Sequence, residues 1–363
     1  MHTLNLFEPQ ADGVDPRGWT AHERVGYELG RDYARHQVDL PEPYARADSP
    51  LRQGLLSGAR DFGPRRLAAT RPVQRWLQLR LHAWLRGRSV ELIQVTPNYL
   101  QQIDVSHCPI TREPLSSDAR MGTDACVDRV RNDAGYAAGN LAVISRRANH
   151  AKGSCGHAQS MDIVTRLRTR ATAQHAGLSA VQWARVAVLA SFVEPLTHAQ
   201  ACAVPMLVLP PNRLRLFNPA QALQAFVSLQ LLRPGWSQRL ARFEAMLPDA
   251  AAQSDFKRFF MALLPRVIES GRWADPQRAR WAVEDAWRAP RVASCWARFA
   301  GALTAEQCQA LLTRAAARGL STRIVVPHAA TAATDGWDLA TRGYVPYGLG
   351  PRHWQREPAR LPG

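Results

Sequence analysis

The stretch that decides the local fold runs from Ala125 to Gly153 and reads ACVDRVRNDAGYAAGNLAVISRRANHAKG. Its first six residues alternate small or apolar side chains with polar ones, which is the pattern of a short strand. Residues 131–139 are rich in turn formers, and residues 140–144 form an apolar run of strand length. Ser145 can cap a helix that continues through Lys152, and Gly153 is a natural C-terminal stop. The stretch therefore predicts a compact ββα unit.

Three polar residues share one face of the predicted helix. Ser145, Asn149 and Lys152 are spaced by four and three positions, so they lie on the same side. That side can point back at the strand that carries Asp128, where a carboxylate oxygen and an amide oxygen would converge. Such oxygens are ligands for Mg²⁺ or Mn²⁺, with water and phosphate filling the other positions. Asp128 and Asn149 are the predicted metal ligands.

This order and spacing resemble the ββα-metal finger of the HNH, or His-Me finger, endonucleases. The family pattern runs Asp-His on the first strand, a loop, Asn-Leu at the second strand, Asn or His nine residues later and Lys twelve residues later. Asn140 is followed at those offsets by Asn149 and Lys152. The resemblance implies that Asp128 and Asn149 hold the metal, that Asn140 braces the loop and that Lys152 faces a phosphate. It covers residues 108–153 and says nothing about the others.

The residue after Asp128 departs from the family pattern. Arg129 stands where the family has its general-base histidine, and a guanidinium cannot accept a proton. His150 and His107 are the nearest candidate bases, while Arg129 suits a phosphate clamp or transition-state stabiliser. A branch of HNH-like phage and mobile-element proteins also has Asp-Arg followed by a Gly-Tyr loop, which Gly135-Tyr136 resembles. The alternative interpretation is a finger that binds DNA without cutting it.

The zinc knuckle of many HNH proteins is also altered. Thr111, Ser145 and Ala148 stand where knuckle-bearing relatives have cysteine, which leaves Cys108 as one ligand of four. The other cysteines and histidines do not show the paired Cys-x-x-Cys spacing of zinc sites. We expect no structural Zn²⁺ and a buried free cysteine instead.

The composition favours a polyanionic partner. The chain has 363 residues, 46% apolar content and a formal charge of +16, and only two of its 46 basic residues are lysine. Residues 51–90 contain nine arginines and one acid. Within them, the predicted helix 73–85 combines an apolar stripe with a basic exterior, although a plain solvated surface helix would look the same. A second basic cluster follows the finger and includes Arg166, Arg168 and Arg170. The residues predicted to contact nucleic acid are Arg75, Arg80, Arg131, Arg146, Arg147 and Lys152.

The rest of the chain is predicted to be mostly α-helical, with the ββα finger embedded in it. Four regions are expected: a basic helical region over 1–100, the finger over 101–157, a helical domain over 158–327 and a loosely ordered tail over 328–363. Thr20-x-x-Glu23 is a capping box that predicts a helix to about His36, and the helix after the finger is expected to run from Met161 to about Ala176. Residues 1–19 are expected to be poorly structured, and residues 321–326 to form one strand. No apolar run reaches membrane-spanning length. Six cysteines without framework spacing favour a reducing cytoplasm.

Two functions from different classes follow from these patterns. The first is an endonuclease that hydrolyses phosphodiester bonds in nucleic acid, with DNA as the expected substrate and Mg²⁺ or Mn²⁺ as the cofactor. Its candidate catalytic residues are Asp128, Arg129, Asn140, Asn149 and His150. The second is a non-catalytic DNA-binding protein with a degenerate HNH finger. A protein whose charge only keeps it soluble is a third and weaker alternative.

Overall fold

The computed structural model describes residues 18–63, 67, 69–116, 122–170, 172–269, 275–320 and 327–345. The chain is mostly α-helical with two small antiparallel sheets, which confirms the predicted fold class. Contacts divide it into an N-terminal unit, which combines residues 1–89 with 344–363, and a central unit, residues 90–343. The predicted strand over 321–326, most of the poorly structured start and the end of the predicted tail lie outside the described residues.

Where the structure describes the N-terminal unit, three α-helices build it: α1 Ala21–Arg35, α2 Pro50–Phe62 and α3 Arg71–Leu85. The predicted capping box opens α1, because the backbone N–H of Glu23 donates to the Thr20 hydroxyl at 3.2 Å and the Glu23 carboxylate accepts from Thr20 N–H at 2.8 Å. Leu29, Leu51, Leu77 and Trp84 are buried between the helices. Each helix therefore contributes the apolar face that its sequence pattern predicts.

Helices α1 and α2 pack with their backbones almost in contact. A methyl group added to Gly30 would lie 2.0 Å from the Leu51 carbonyl oxygen, and one added to Gly54 would lie 1.9 Å from the Tyr27 carbonyl oxygen. Gly58, four residues after Gly54, also faces α1, whereas Gly26 lies against the ring of Trp84 on α3. The glycines of α1 and α2 are thus the sequence signal for close packing in this unit.

The central unit begins with the short helix α4 and the finger, and continues as a helical bundle. Its elements in order are α4 Pro97–Ile103, β1 Ala125–Arg129, β2 Leu141–Ser145, α5 Arg146–Lys152, α6 His157–Thr169, β3 Gln174–His175, β4 Leu178–Ser179, α7 Ala180–Ser191, α8 His198–Ala203, α9 Pro219–Gln230, α10 Trp236–Glu244, α11 Ala250–Glu269, α12 Pro276–Ala286, α13 Pro290–Gly301, α14 Ala305–Ala317 and α15 Ala330–Ala333. One continuous apolar core extends from Cys108 in the finger region through the bundle to Trp337.

Two details differ from the sequence prediction. The helix after the finger was expected to run from Met161 to about Ala176, but α6 ends at Thr169 and a β-hairpin follows, with Ala176 at φ 47° and Gly177 at φ 77°. Part of the predicted loose tail is fixed, because the fully buried Trp337 donates its indole N–H to the Ala138 carbonyl at 3.0 Å. The backbone N–H of Gly135 donates to the Trp337 carbonyl at 2.8 Å. Residues 334–343 therefore form a strap against the finger loop.

Within the part of the chain that the structure describes, no helix combines the length and the apolarity that a bilayer crossing requires.

Candidate functional site: the ββα finger

The finger has the predicted secondary structure. Strand β1 pairs antiparallel with β2 in a register that sets Asp128 opposite Ala142. The Ser145 hydroxyl caps α5 by accepting from Ala148 N–H at 3.3 Å, and Gly153 ends the helix at φ 52°. A left-handed residue is the usual helix stop, and glycine adopts it without strain. The local sequence therefore positions one strand and one helix over each other, as the ββα pattern predicts.

Asn140 ties the loop between the two strands together. Its Oδ1 accepts from Arg131 N–H at 2.8 Å, while its Nδ2 donates to the carbonyls of Arg131 at 3.0 Å and Gly135 at 3.2 Å. The side chain is fully buried. Since all its polar atoms serve the loop backbone, Asn140 has the bracing contacts expected of it and no contact to a site opening.

Asp128 and Lys152 form a buried ion pair. Lys152 Nζ lies 3.1 Å from Asp128 Oδ2 and donates to Oδ1 at 3.3 Å, and the two side chains are 1% and 4% exposed. Nζ also donates to the Arg129 carbonyl at 2.9 Å. Burial raises the pKa of Asp128 above its ordinary value, and the charge of Lys152 opposes that shift. Lys152, predicted to face a phosphate, is therefore an interior residue.

Arg129 supports the loop. Its guanidinium donates to the carbonyls of Ala134 at 2.8 Å and Asn132 at 3.2 Å, and it lies over the ring of Tyr136, with 5.1 Å between its Cζ and the ring centroid. Both bonds come from Nη1, so this end of the guanidinium is held against the loop. The Arg-Gly-Tyr combination noted in the sequence is thus a loop-packing arrangement.

Asn149 is half-buried on α5, and its side chain interacts with the thiol of Cys126. Cys126 precedes Asp128 by two residues and so lies on the same face of β1. Burial raises the pKa of that thiol, while Asn149 acts in the opposite direction. Among the described residues, no three His, Cys, Asp or Glu side chains are grouped to hold a metal ion. Because a lysine occupies the carboxylate of Asp128, these residues do not fit the Mg²⁺ or Mn²⁺ site that the resemblance implies.

The two candidate bases lie elsewhere. Helix α5 buries Ala148 and Lys152, whereas His150 is on its exposed side. His107 is half-buried, accepts or donates with the Ser106 hydroxyl at 3.0 Å and packs edge-on against Trp281. Neither histidine is directed at the buried Asp128 carboxylate by these contacts.

Cys108 is buried without a partner cysteine. Its sulfur accepts from the backbone N–H of Thr111 at 3.4 Å and of Ser145 at 3.3 Å. Thr111 and Ser145 are two of the positions where HNH proteins with a zinc knuckle have cysteine. Backbone hydrogen bonds to one sulfur thus link the segments that a zinc ion would otherwise join.

The arginines of the finger form ion pairs with acidic residues of the same chain. Arg131 donates to both carboxylate oxygens of Asp133, from Nε at 2.7 Å and from Nη2 at 2.9 Å, which lowers the pKa of that carboxyl. Arg147 makes bonds of 2.8 and 2.9 Å to Glu113. Arg146 lies 3.1 Å from Asp124. Three of the residues predicted to meet nucleic acid are therefore already neutralised within the chain.

The two arginines predicted on α3 differ from each other. Arg80 is buried, pairs with Asp32 of α1 and lies over the Trp76 ring. It is a structural residue of the N-terminal unit, because its guanidinium is buried and paired with an internal carboxylate, and its contact with a phosphate stays a prediction. Arg75 is half-buried on the same helix.

The exposed positive charge of this region lies on α6. Arg166, Arg168 and Arg170 are exposed, and none forms an ion pair with another described residue. The chain has no acidic residue between Asp162 and Glu194. Successive residues of a helix are rotated by about 100°, so Arg166 and Arg168 are about 200° apart and lie on opposite edges of the solvent-facing side of α6. The helix end and the following hairpin therefore form a basic surface, which we call the α6 basic surface, comprising residues 166–170 and 172–177.

A cleft of about 460 Å³ lies between the finger loop and the start of α6, and Arg131, Asp133, Cys155, His157 and Glu194 are among its lining residues. The Glu194 carboxylate accepts from the backbone N–H of His157 at 2.9 Å, and Nδ1 of the His157 ring donates to the Ala187 carbonyl at 2.9 Å. The position that an anionic ligand would take at the start of α6 is thus filled by a carboxylate of the chain itself.

Two features of the site could not be expected from the local pattern. The Trp337 strap contacts the finger loop from almost two hundred positions away in sequence. Glu284 of α12 is 2% exposed and contacts Arg112 and Arg280 at 3.3 and 3.1 Å. Burial raises the pKa of Glu284, and the arginines oppose that shift. Buried acids of this kind anchor the segment after Cys108 to the bundle.

No protein-family model, no curated protein and no solved structure matches this chain. The fold and contacts described above are therefore the whole basis for a functional interpretation.

Proposed function

We propose that this protein binds nucleic acid, with DNA as the expected form, and that its finger is a structural element that does not cut the ligand. The observation that supports binding is the α6 basic surface, where Arg166, Arg168 and Arg170 are exposed in a segment without acidic residues. Arginines without an internal partner are free to neutralise phosphates and release counterions. The formal charge of +16 is consistent with the same partner.

The absence of cleavage is proposed because each family position that would carry chemistry has an internal partner. Asp128 is paired with Lys152, and Arg129 bonds the loop carbonyls. A hydrolytic site needs a carboxylate that can reach a metal ion and a base that can take a proton from water. A finger that keeps the ββα fold while losing both would still present its neighbouring basic surface to a phosphate backbone.

Binding is tested by fluorescence anisotropy with a labelled DNA duplex across a range of salt concentrations. For the wild type, the logarithm of the binding constant should fall linearly with the logarithm of the salt concentration. If all three arginines contact phosphates, the variant Arg166→Gln/Arg168→Gln/Arg170→Gln should lower the slope by about 2.7, at about 0.9 per contact. A matched control removes the same charge elsewhere, at the exposed Arg291, Arg314 and Arg318.

The control variant should retain the wild-type slope. Equal losses in both variants would show that net charge, and not the α6 basic surface, governs binding. Affinity that does not respond to salt would overturn the proposal and favour a protein whose charge serves solubility.

Cleavage is tested separately by nicking of supercoiled plasmid with Mg²⁺ and with Mn²⁺. We expect no nicking by the wild type. Nicking that is lost in Asn149→Ala, a change that leaves the Asp128–Lys152 pair in place, would establish the endonuclease interpretation instead.

A further inference from the structure

The ammonium group of Lys152 is enclosed by oxygen atoms. It lies 3.1 and 3.3 Å from the two carboxylate oxygens of Asp128 and 2.9 Å from the Arg129 carbonyl oxygen. The ammonium donates hydrogen bonds to Asp128 Oδ1 and to the Arg129 carbonyl, while Asp128 Oδ2 lies at ion-pair distance without a hydrogen bond of its own. An interior position lined by a carboxylate and a carbonyl is also the kind of oxygen set that hard metal cations bind.

We propose that the Lys152 ammonium is the resident cation of this finger, that the finger folds without metal, and that removing the ammonium exposes a latent divalent-cation site formed by Asp128 and the Arg129 carbonyl. This inference goes beyond nucleic-acid binding and does not depend on it. It concerns what holds the finger together, whether or not the α6 basic surface meets a ligand.

Charge balance supports the ammonium over a divalent ion. Asp128 supplies one negative charge, and Lys152 supplies one positive charge at 1% exposure. While Lys152 is present, a divalent ion beside Asp128 would bring three positive charges against one carboxylate, and uncompensated buried charge is costly. Mg²⁺ also requires about six oxygens at about 2.1 Å, usually several of them from water, and the Lys152 side chain fills the space that those waters would need, since Asp128 is only 4% exposed.

The same ammonium controls the start of the finger loop. Its bond to the Arg129 carbonyl fixes the residue whose guanidinium holds the carbonyls of Asn132 and Ala134. Asn140 then fixes the next stretch through both backbone groups of Arg131. The covalently attached ammonium of Lys152 can therefore fix the same strand and loop that a bound metal ion would fix, and it cannot dissociate.

The test is thermal unfolding with EDTA and with increasing Mn²⁺, together with Mn²⁺ electron paramagnetic resonance as a direct readout of binding. The wild-type melting temperature should be the same in EDTA and in Mn²⁺. Lys152→Ala should melt at a lower temperature and should recover part of that loss in a saturable way as Mn²⁺ rises. Its resonance titration should show one bound ion that the wild type lacks.

Three variants provide controls. Lys152→Met fills the space with an apolar chain of similar length, so it should be destabilised without a response to Mn²⁺. Asp128→Asn/Lys152→Ala removes the carboxylate and should not bind Mn²⁺. Lys257→Ala changes the only other lysine, which is 65% exposed, and should behave as the wild type.

Two results would overturn the inference. A wild type that melts earlier in EDTA, or later in Mn²⁺ with the gain abolished by Asp128→Asn, would show that a metal is the native cation. A Lys152→Ala variant without a response to Mn²⁺, whether folded or refolded in its presence, would show that no latent site exists. Neither result depends on the anisotropy measurements, so failure of nucleic-acid binding remains distinguishable.

Discussion

The Asp128–Lys152 pair predicts a large and measurable coupling between two residues. Lys152→Met keeps the length of the side chain and leaves the carboxylate of Asp128 enclosed without its cation. Breaking a buried ion pair from one side costs about 3–5 kcal/mol. Asp128→Asn should lower the free energy of unfolding by an amount near the lower end of that range, because the amide oxygen can still accept a hydrogen bond from Lys152.

Removing both charges together should cost much less. The double variant Asp128→Asn/Lys152→Met has no uncompensated charge, and replacement of a buried pair by neutral groups is often close to neutral. We therefore expect a coupling energy of about 2 kcal/mol or more, above the ~0.5 kcal/mol within which independent sites add. The exposed pair Arg147–Glu113 provides the contrast, with a coupling of about 0–1 kcal/mol.

The loss of unfolding free energy in Lys152→Met, which we call its deficit, should also depend on pH in a direction that the burial of Asp128 determines. Burial already raises the pKa of Asp128 above 3.8 in the folded protein, and loss of the Lys152 charge raises it further. At pH values between the pKa of Asp128 in the unfolded state and its higher pKa in the folded state, the carboxyl is protonated in the folded state and ionised in the unfolded state. The carboxyl thus favours folding at low pH, and this contribution is lost as pH rises through the folded pKa. The deficit should shrink as pH falls from 8 towards 5.

The measurement is urea unfolding followed by far-ultraviolet circular dichroism, with hydrogen exchange of peptides covering residues 125–152 to localise the effect. Local exchange is needed because two units need not unfold in one transition. Additive single-variant costs would refute the reasoning about the buried pair. A deficit that is constant across pH would refute the assignment of that cost to an enclosed carboxylate.

Two predictions concern the N-terminal unit, each measured by unfolding of the full chain with the intrinsic fluorescence of its tryptophans. Gly54→Ala should lower the free energy of unfolding by about 1–3 kcal/mol, since the new methyl group would lie 1.9 Å from the Tyr27 carbonyl oxygen. The control Gly301→Ala places its methyl group where no atom lies within 4 Å, so it should be neutral or stabilising. An unchanged free energy of unfolding in Gly54→Ala would contradict the close packing of α1 and α2. Burial lowers the pKa of His22 and His36, so their contribution is present above pH 6.5 and lost as pH falls below it. The double variant His22→Gln/His36→Gln should show a smaller fall in stability between pH 7 and 5, and an identical fall would count against buried neutral histidines.

The sequence was sufficient for the parts of the fold that depend on local rules. The Thr20 capping box, the strand and helix of the finger, and the Gly153 stop were all predicted, because each is determined by residues within a few positions. Boundaries were less certain where turn residues follow a helix, as at the end of α6. Tertiary contacts such as the Trp337 strap depend on distant residues and gave no periodic signal.

The site shows the limit of spacing arguments more sharply. The offsets from Asn140 correctly placed Asn149 and Lys152 on the helix beside the strand of Asp128, but spacing cannot say which polar groups pair with one another. Lys152 bonds Asp128 directly, and the finger arginines pair with Asp133, Asp124 and Glu113. Pairing among charged groups is a property of three-dimensional neighbours, so a basic residue count overstates the charge available to a ligand.

The rarity of lysine in this chain bears on the role of Lys152. The chain uses arginine for 44 of its 46 basic residues, yet the enclosed position beside Asp128 has a lysine. A guanidinium is planar and carries five donors in a fixed fork, whereas this position offers three oxygens around a compact volume. Arginine there would bury donors without acceptors, each at a cost of about 1–3 kcal/mol. The choice of residue is therefore explained by the geometry around a small interior cation, and it needs no contact with a phosphate.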